Sequence, residues 1–346
     1  MYKALVYSDV HWSSYSSILR AREGKYSVRL NGLIKSMNYI EEYAVNYNCD
    51  ELICCGDFYD RPSISCEEMT ALQDIKFSGL HHIFLVGNHE SDVSSLDFSS
   101  TKFFESINST VIDKYKTIKI NDLVNFTFIP YISGDVPELS NFIEDRDKKN
   151  VVFAHQEIAG ISYGKVVSQS GFKIDDIKNN CNLFLDGHLH NNSIIDRSIV
   201  ILGNLTGQNF NEDSTRYKHL FYILTVEDDG SIILEPHENP YAFNFYKIKI
   251  ENKSDIDQLF RLKSNAVLSV VCNSNFTEEV NSILKTLGNV ITYRLSVIYL
   301  DNMSYDSDNS ELLNNDNYIK RFIDFAQLKL QHSPALIDEL SRFGEI

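Results

Sequence analysis

Five segments of the chain end the same way: a short apolar run stops at residues able to bind a cation. Lys3 to Tyr7 runs into Ser8-Asp9-Val10-His11, and Leu52 to Gly56 runs into Asp57. Ile83 to Val86 runs into Gly87-Asn88-His89-Glu90, Val151 to Ala154 into His155, and Leu183 to Leu185 into Asp186-Gly187-His188-Leu189-His190. Asp9, His11, Asp57, Asn88, His155, His188 and His190 together offer two carboxylates, one amide oxygen and four imidazoles. Two divalent ions about 3.5–4 Å apart need one bridging carboxylate, and hard oxygens mixed with imidazole suit manganese, iron or zinc. Asp57, in the stretch LICCGDFYDR around which the other segments group, is the expected bridge.

Such endings call for strands whose carboxyl ends gather at one edge, where open α/β sheets build their sites. Leu30, Leu33, Ile34, Met37, Ile40 and Ala44 recur at helical spacing, which predicts an amphipathic helix from Val28 to Tyr47 packed on a sheet. Cys66 to Lys76 reads as a second helix, and Phe126 to Tyr131, ending at Pro130, as a strand entering a second sheet. Ser198 to Leu202 and Leu220 to Thr225 alternate as further strands, so residues 1–240 read as two sheets back to back with helices outside. From Phe243 the pattern restarts as β-α-β-α-β through Leu300, a small α/β cap domain over 243–300. A polar linker follows over 301–317. In 318–346, Ile319, Phe322, Ile323, Ala326 and Leu330 form one helical stripe, and Ser333-Pro334 starts a second helix. Two short helices cannot bury their own apolar faces, so docking on another protein is expected ahead of folding back.

The balance of 32 basic against 48 acidic residues, a net charge of −16, argues against a broad nucleic-acid-binding surface. Any such contact must be local. The loop from Trp12 to Asn31 is the place for it, since it follows His11 and carries Arg20, Arg22, Lys25 and Arg29, either as a phosphate-contacting rim or as an ordinary solvated loop. The six cysteines show no C-x-x-C spacing, and Cys54 and Cys55 lie inside an apolar run, which fits reduced, buried thiols. No apolar run approaches the roughly 18 residues needed to cross a bilayer, and MYKALVYSDV reads as a strand rather than a signal peptide, so a soluble cytoplasmic protein is expected. A Gly-rich phosphate loop is missing, so ATP use is not expected of this chain.

The order D-x-H, G-D-x-x-D-R, G-N-H-E, H, G-H-x-H over residues 1–240 resembles the calcineurin-like metallophosphoesterase superfamily. Each piece alone is common by chance; five in this order, each after a strand-like run, are not. The resemblance implies a four-layer αββα sandwich within an α/β fold. Protein serine/threonine phosphatases share G-D-x-x-D-R and G-N-H-E, but usually read G-D-x-x-D-R-G and R-G-N-H-E and lack a closing G-H-x-H. This chain has Pro62, Val86 and His188-Leu189-His190 at those places. The closing motif, the Ile-Pro-Tyr strand, the basic loop and the cap with terminal helices are closer to the SbcD-type DNA repair nucleases, and the compact length to their bacterial and bacteriophage members.

That resemblance implies that Asp9, His11, Asp57 and His190 hold one ion and Asp57, Asn88, His155 and His188 the other, with manganese preferred. His89 is then the non-ligand histidine that protonates the departing 3′ oxygen or steadies its charge. Asp60 and Arg61 stand behind the ligands, Arg61 as a structural ion-pair partner ahead of a phosphate ligand, and Glu90 and Asp186 either orient ligating imidazoles from behind or are ordinary polar turn residues. Many of these nucleases carry histidine where this chain has Asp60, so no catalytic duty carries over to it. The implied activities are 3′ to 5′ exonuclease on duplex ends and endonuclease on single strands, in a heterotetramer pairing a homodimer with an SbcC-type ATPase that has coiled-coil arms. The alternatives are a metallophosphatase acting on phosphoproteins or small phosphoesters, and a catalytically idle scaffold.

Overall fold

Side chains alternate along a strand, and here each set finds its own layer. In the strand Tyr2–Tyr7, Leu5 and Tyr7 pack on one side, Ala4 and Val6 on the other; in Glu51–Cys54, Leu52 and Cys54 part from Ile53 in the same way. Burial on both faces explains why these strands read as continuous apolar runs. The computed structural model describes residues 1–92, 95–106, 108–163, 166–212 and 214–298, and the expected linker and terminal helices lie outside them.

The first sheet has the strand order Ile232–Glu238, Leu220–Val226, Tyr2–Tyr7, Glu51–Cys54, His81–Leu85, Ser109–Ile112. Its last four strands are parallel. The second has the order Ser193–Asp196, Ile199–Ile201, Leu183–Asp186, Lys149–Ala154, Val124–Ile129, Lys116–Lys119, with its four middle strands parallel. Val6, Ile53 and Leu85 of the first sheet pack with Phe126, Phe128 and Phe153 of the second. Outside the first sheet, Leu33, Met37 and Ile40 of the helix Val28–Asn46 cover Leu5, Leu52 and Phe84. Outside the second, Ile177 of the helix Ile174–Asn180 covers Val152 and Phe184. The layers are therefore α, β, β, α, as the resemblance implied.

Local chemistry sets the helix ends. Ser27 caps the long helix by accepting the Leu30 N–H at 3.2 Å. The helix expected over Cys66 to Lys76 ends at Leu72, because the backbone tightens into three-residue turns, Gln73 N–H to Thr70 O and Ile75 N–H to Leu72 O. Beyond residue 243, Asn244–Ile250, Ala266–Asn273 and Val290–Ile298 form a parallel three-stranded sheet. Val280 and Leu284 of the helix Thr277–Thr286 share its core. Phe243, Phe245 and Val267 also pack with Leu19 of the loop after His11, joining this sheet to the sandwich within the compact unit Met1–Ile298. Among the described residues no helix is long and apolar enough to cross a membrane.

Candidate metal centre

The ladder between the first two parallel strands continues past their ends and carries the acids with it. Cys55 N–H donates to Tyr7 O at 2.8 Å, Asp9 N–H to Gly56 O at 3.1 Å and His11 N–H to Asp57 O at 3.0 Å. Asp9, His11, Asp57 and His188 all adopt the left-handed backbone region, with φ of 52°, 49°, 50° and 67°. Only two other non-glycine residues among those described do so, and each costs about 1 kcal/mol or more. Close approach explains the glycines of the motifs. A Cβ on Gly87 would stand 2.1 Å from Asp57 Oδ1, and one on Gly56 2.2 Å from His155 Nδ1.

Three groups of side chains lie close enough to hold an ion: Asp9, His11 and His190; His11, Asp57 and His89; and Asp57, His155 and His188. Asp57 is common to the second and third. Its Oδ2 lies 3.1 Å from His155 Nε2, 3.9 Å from His11 Nε2 and 4.0 Å from His89 Nε2, while Oδ1 accepts the His89 N–H at 3.0 Å. Asn88 Oδ1 sits between His155 Nε2 and His188 Nδ1, at 3.1 and 3.0 Å. His11 and His190 face each other through Nε2 atoms 3.0 Å apart, and both approach Asp9 Oδ1, at 3.7 and 3.9 Å. All seven predicted ligands therefore converge, and His89 joins them at the mouth with its side chain 41% exposed.

The donor set fits cations. Asp9 Oδ1 is buried without a hydrogen-bond partner, and two imidazole nitrogens 3.0 Å apart need either a proton or a metal between them. The electrostatics agree. Burial alone would depress His11 and His155, yet Asp60 and Asp9 raise the first to about 9, and Asp57 raises the second to about 10. Burial would raise Asp57, yet His155 and His11 hold it well below the usual carboxylate range. Burial and the neighbouring His155 push His188 down to about 4. A concentrated demand for positive charge at the carboxylates is what bound cations would meet.

Two of the supporting residues act as expected and two act on backbone. Asp60 backs two histidines: its carboxylate lies 3.2 Å from His11 Nδ1, and its carbonyl accepts from His89 Nδ1 at 2.9 Å. Of the two readings open for Glu90 and Asp186, orienting imidazoles or serving as polar turn residues, the geometry fits the second, since both grip backbone. Glu90, fully buried, accepts Tyr59 N–H at 3.0 Å and Gly87 N–H at 2.7 Å, tying two motif loops together; burial and Asp57 raise it to about 8. Asp186 accepts Gln156 N–H at 3.1 Å, just past His155. Arg61 is an ion-pair partner, reaching both oxygens of buried Glu68 at 3.1 and 3.2 Å.

The basic rim needs a correction. Arg29 lies in the first turn of the long helix, not in the loop, and is 3% exposed. Its guanidinium donates to His11 O at 3.1 Å and Gly207 O at 3.3 Å, so it braces the site from inside and cannot touch a phosphate there. Arg22 and Lys25 are exposed but pair with Glu67 at 3.0 Å and Asp74 at 3.5 Å; Arg20 is exposed. Two supporting residues escaped the sequence reading. Glu68 had a signal, the S-x-x-E spacing of Ser65 to Glu68, which forms a capping box. Glu212, 3.0 Å from His190 Nδ1, had none, since it lies in an irregular loop 22 residues further on.

The family model described as calcineurin-like phosphoesterase matches residues 2–249. The chain is also similar to "Putative phosphoesterase 244L" of Invertebrate iridescent virus 6, 30% identical over 176 residues. That match covers 47% of this chain and 56% of the relative, so the chain spans little more than half of the curated protein it matches. Among solved structures it is similar to a dimetal phosphatase from Danio rerio, 11% identical, covering 69% of this chain and 96% of that one, with a TM-score of 0.45. It is also similar to TT1561 of Thermus thermophilus, 10% identical, covering 68% of this chain and 98% of that one, with a TM-score of 0.39.

Proposed function

Because the chain belongs to the calcineurin-like phosphoesterase family, whose members hold two divalent metal ions, we propose that it is a metal-dependent DNA nuclease of the SbcD type. The observation that carries the reading is the pairing of a cluster of ligands, four of them buried and three half-buried, with the more exposed His89 at its mouth. Asp9, His11, Asp57, Asn88, His155, His188 and His190 would hold the ions, manganese by preference, with Asp57 shared. When bound, the pair supplies Lewis acidity to the phosphate and lowers the pKa of water nearby.

The chain's own residues do the rest. His89 has its Nδ1–H fixed on the Asp60 carbonyl and its backbone N–H on Asp57, which turns Nε2, 4.0 Å from Asp57 Oδ2, toward the mouth as the atom that would deliver a proton. Water oxygen adds to phosphorus and sheds a proton to solvent as the bond to the 3′ oxygen breaks, and His89 Nε2 gives its proton to that oxygen and regains one from solvent, leaving a 3′ hydroxyl and a 5′ phosphate. A polymeric substrate suits the neighbourhood. Phe210, two residues before Glu212, sits edge-on to Phe245 at 5.1 Å and under Arg294 at 4.5 Å, so the three-stranded sheet adjoins the site's loops and offers surface beyond the cleaved phosphate. An SbcC-type ATPase docking on residues 318–346 would supply the broad basic surface that this chain lacks.

The pairing of Arg22 and Lys25 with acids favours a second reading, a metallophosphatase for small phosphoesters or phosphoproteins, which needs no basic rim. End-labelled duplex DNA with manganese separates the two. The wild type should shorten the duplex from its 3′ ends, and His89→Ala should slow this about 10²–10⁴-fold with unchanged metal content. Turnover of phosphoserine peptide with intact duplex would overturn the nuclease.

A further inference from the structure

Three of the ligating histidines have a group behind them, and these groups differ between the two halves of the site. His11 has the Asp60 carboxylate at ion-pair distance, 3.2 Å from Nδ1 but outside hydrogen-bonding geometry, and His190 Nδ1 is hydrogen-bonded to the Glu212 carboxylate at 3.0 Å. His155 Nδ1–H instead donates to a neutral group, the Cys55 carbonyl, at 2.7 Å. His188 turns Nδ1 itself toward Asn88. A carboxylate behind an imidazole fixes its tautomer and makes the outward nitrogen a stronger donor to a cation; a neutral carbonyl fixes the tautomer without adding charge.

Glu212 is built for this duty. It is 2% exposed, its Oε2 accepts the Gln208 N–H at 2.7 Å, and Asn209 Nδ2 reaches Oε1 at 3.5 Å. The loop that carries it is tied to the loop that carries His11, since Arg29 bonds both Gly207 O and His11 O. The charge is therefore fixed in place against one histidine, and a mobile surface acid could not serve.

We propose that Glu212 is the positioning residue of His190, and that with Asp60 it makes the Asp9/His11/His190 position the one that takes the first divalent cation, leaving the Asn88/His155/His188 position the weaker. The inference rests on the two-cation reading given above, and calorimetry on the metal-free full chain titrated with manganese tests it apart from that reading. The wild type should show two binding events of unequal affinity. Glu212→Gln keeps the shape but removes the charge, and it should weaken the tighter event about 10–100-fold while moving the weaker one less than about threefold. Glu212→Asp, which keeps the charge, should recover part of the loss and serves as the deciding variant if the glutamine form does not fold. Equal weakening of both events, or no change in either, would overturn the assignment. A wild type that binds a single manganese ion would instead sink the two-cation reading itself.

Discussion

The sandwich and the three-stranded sheet use one building unit, parallel strands joined by helices, yet finish their strands in opposite manners. Strands of the sandwich stop at Asp9, Asp57 and His188, with left-handed backbone and ionisable side chains that are buried at the two acids and half-buried at the histidine. In the three-stranded sheet, strand ends are given to ordinary capping: Asp255 accepts the Glu251 and Asn252 N–H groups at 2.9 Å, and Asn273 Nδ2 donates to Glu251 O at 3.0 Å. Its one left-handed residue other than glycine among those described, Asn265, precedes a strand instead of following one. Strain and buried charge together mark where chemistry is held, because a fold keeps both only where something compensates them.

The largest effect expected from this contrast is at Asp57. Asp57→Asn removes the charge shared by two groups of ligands, and turnover of a small chromogenic phosphodiester should fall roughly 10³-fold, the equivalent of the several kcal/mol that bound cations contribute. Metal analysis should show fewer than two ions per chain. Next comes Gly87→Ala, whose new Cβ meets the Asp57 carboxylate and backbone; a loss of about 1–3 kcal/mol in denaturant unfolding, with reduced metal content, is expected. The same change at Gly288 beside the three-stranded sheet meets nothing within 4 Å and should stay within about ±0.5 kcal/mol. Equal costs at the two glycines would erase the distinction drawn here.

A change of comparable size to Gly87→Ala, but with a pH signature, is expected at Glu68. Burial opposes its ionisation, but the N–H groups of Ser65 and Ser14 bring it down to about 2. Its folded pKa lies below the ordinary 4.5, so its contribution is complete above that value and fades as the pH falls toward 2. Glu68→Gln should therefore cost roughly 2 kcal/mol near pH 7, and the gap to wild type should narrow steadily in acid. A gap independent of pH would show that packing, not charge, ties the loop of Ser14 to Arg61.

Much of this was legible in the sequence because strand-end motifs are local. The apolar runs before Asp9, Asp57, His155 and His188 are buried on both faces, and such strands announce themselves without alternation. The long helix was equally plain, with its 3.6-residue stripe. What escaped depends on contacts far apart in the chain. Arg29 has the same charge and neighbours as a surface arginine, and only the carbonyls of His11 and Gly207 reveal it as internal. Glu90 and Asp186 each sit two residues from a ligand, yet they reach backbone N–H groups of other loops, at Tyr59 and Gln156. Irregular backbone, as around Glu212, has no period to read.

The parentage of the ligands has a mechanical side. Asp9, Asp57 and Asn88 follow strands of one sheet, while His155, His188 and His190 follow strands of the other. An ion seated between Asp57 and His155 would thus rivet two slabs that apolar contacts and a few hydrogen bonds, such as His155 Nδ1–H to Cys55 O, already join. Whatever binds there contributes to cohesion by mass action, so scarcity of the ion would loosen the protein as well as silence it.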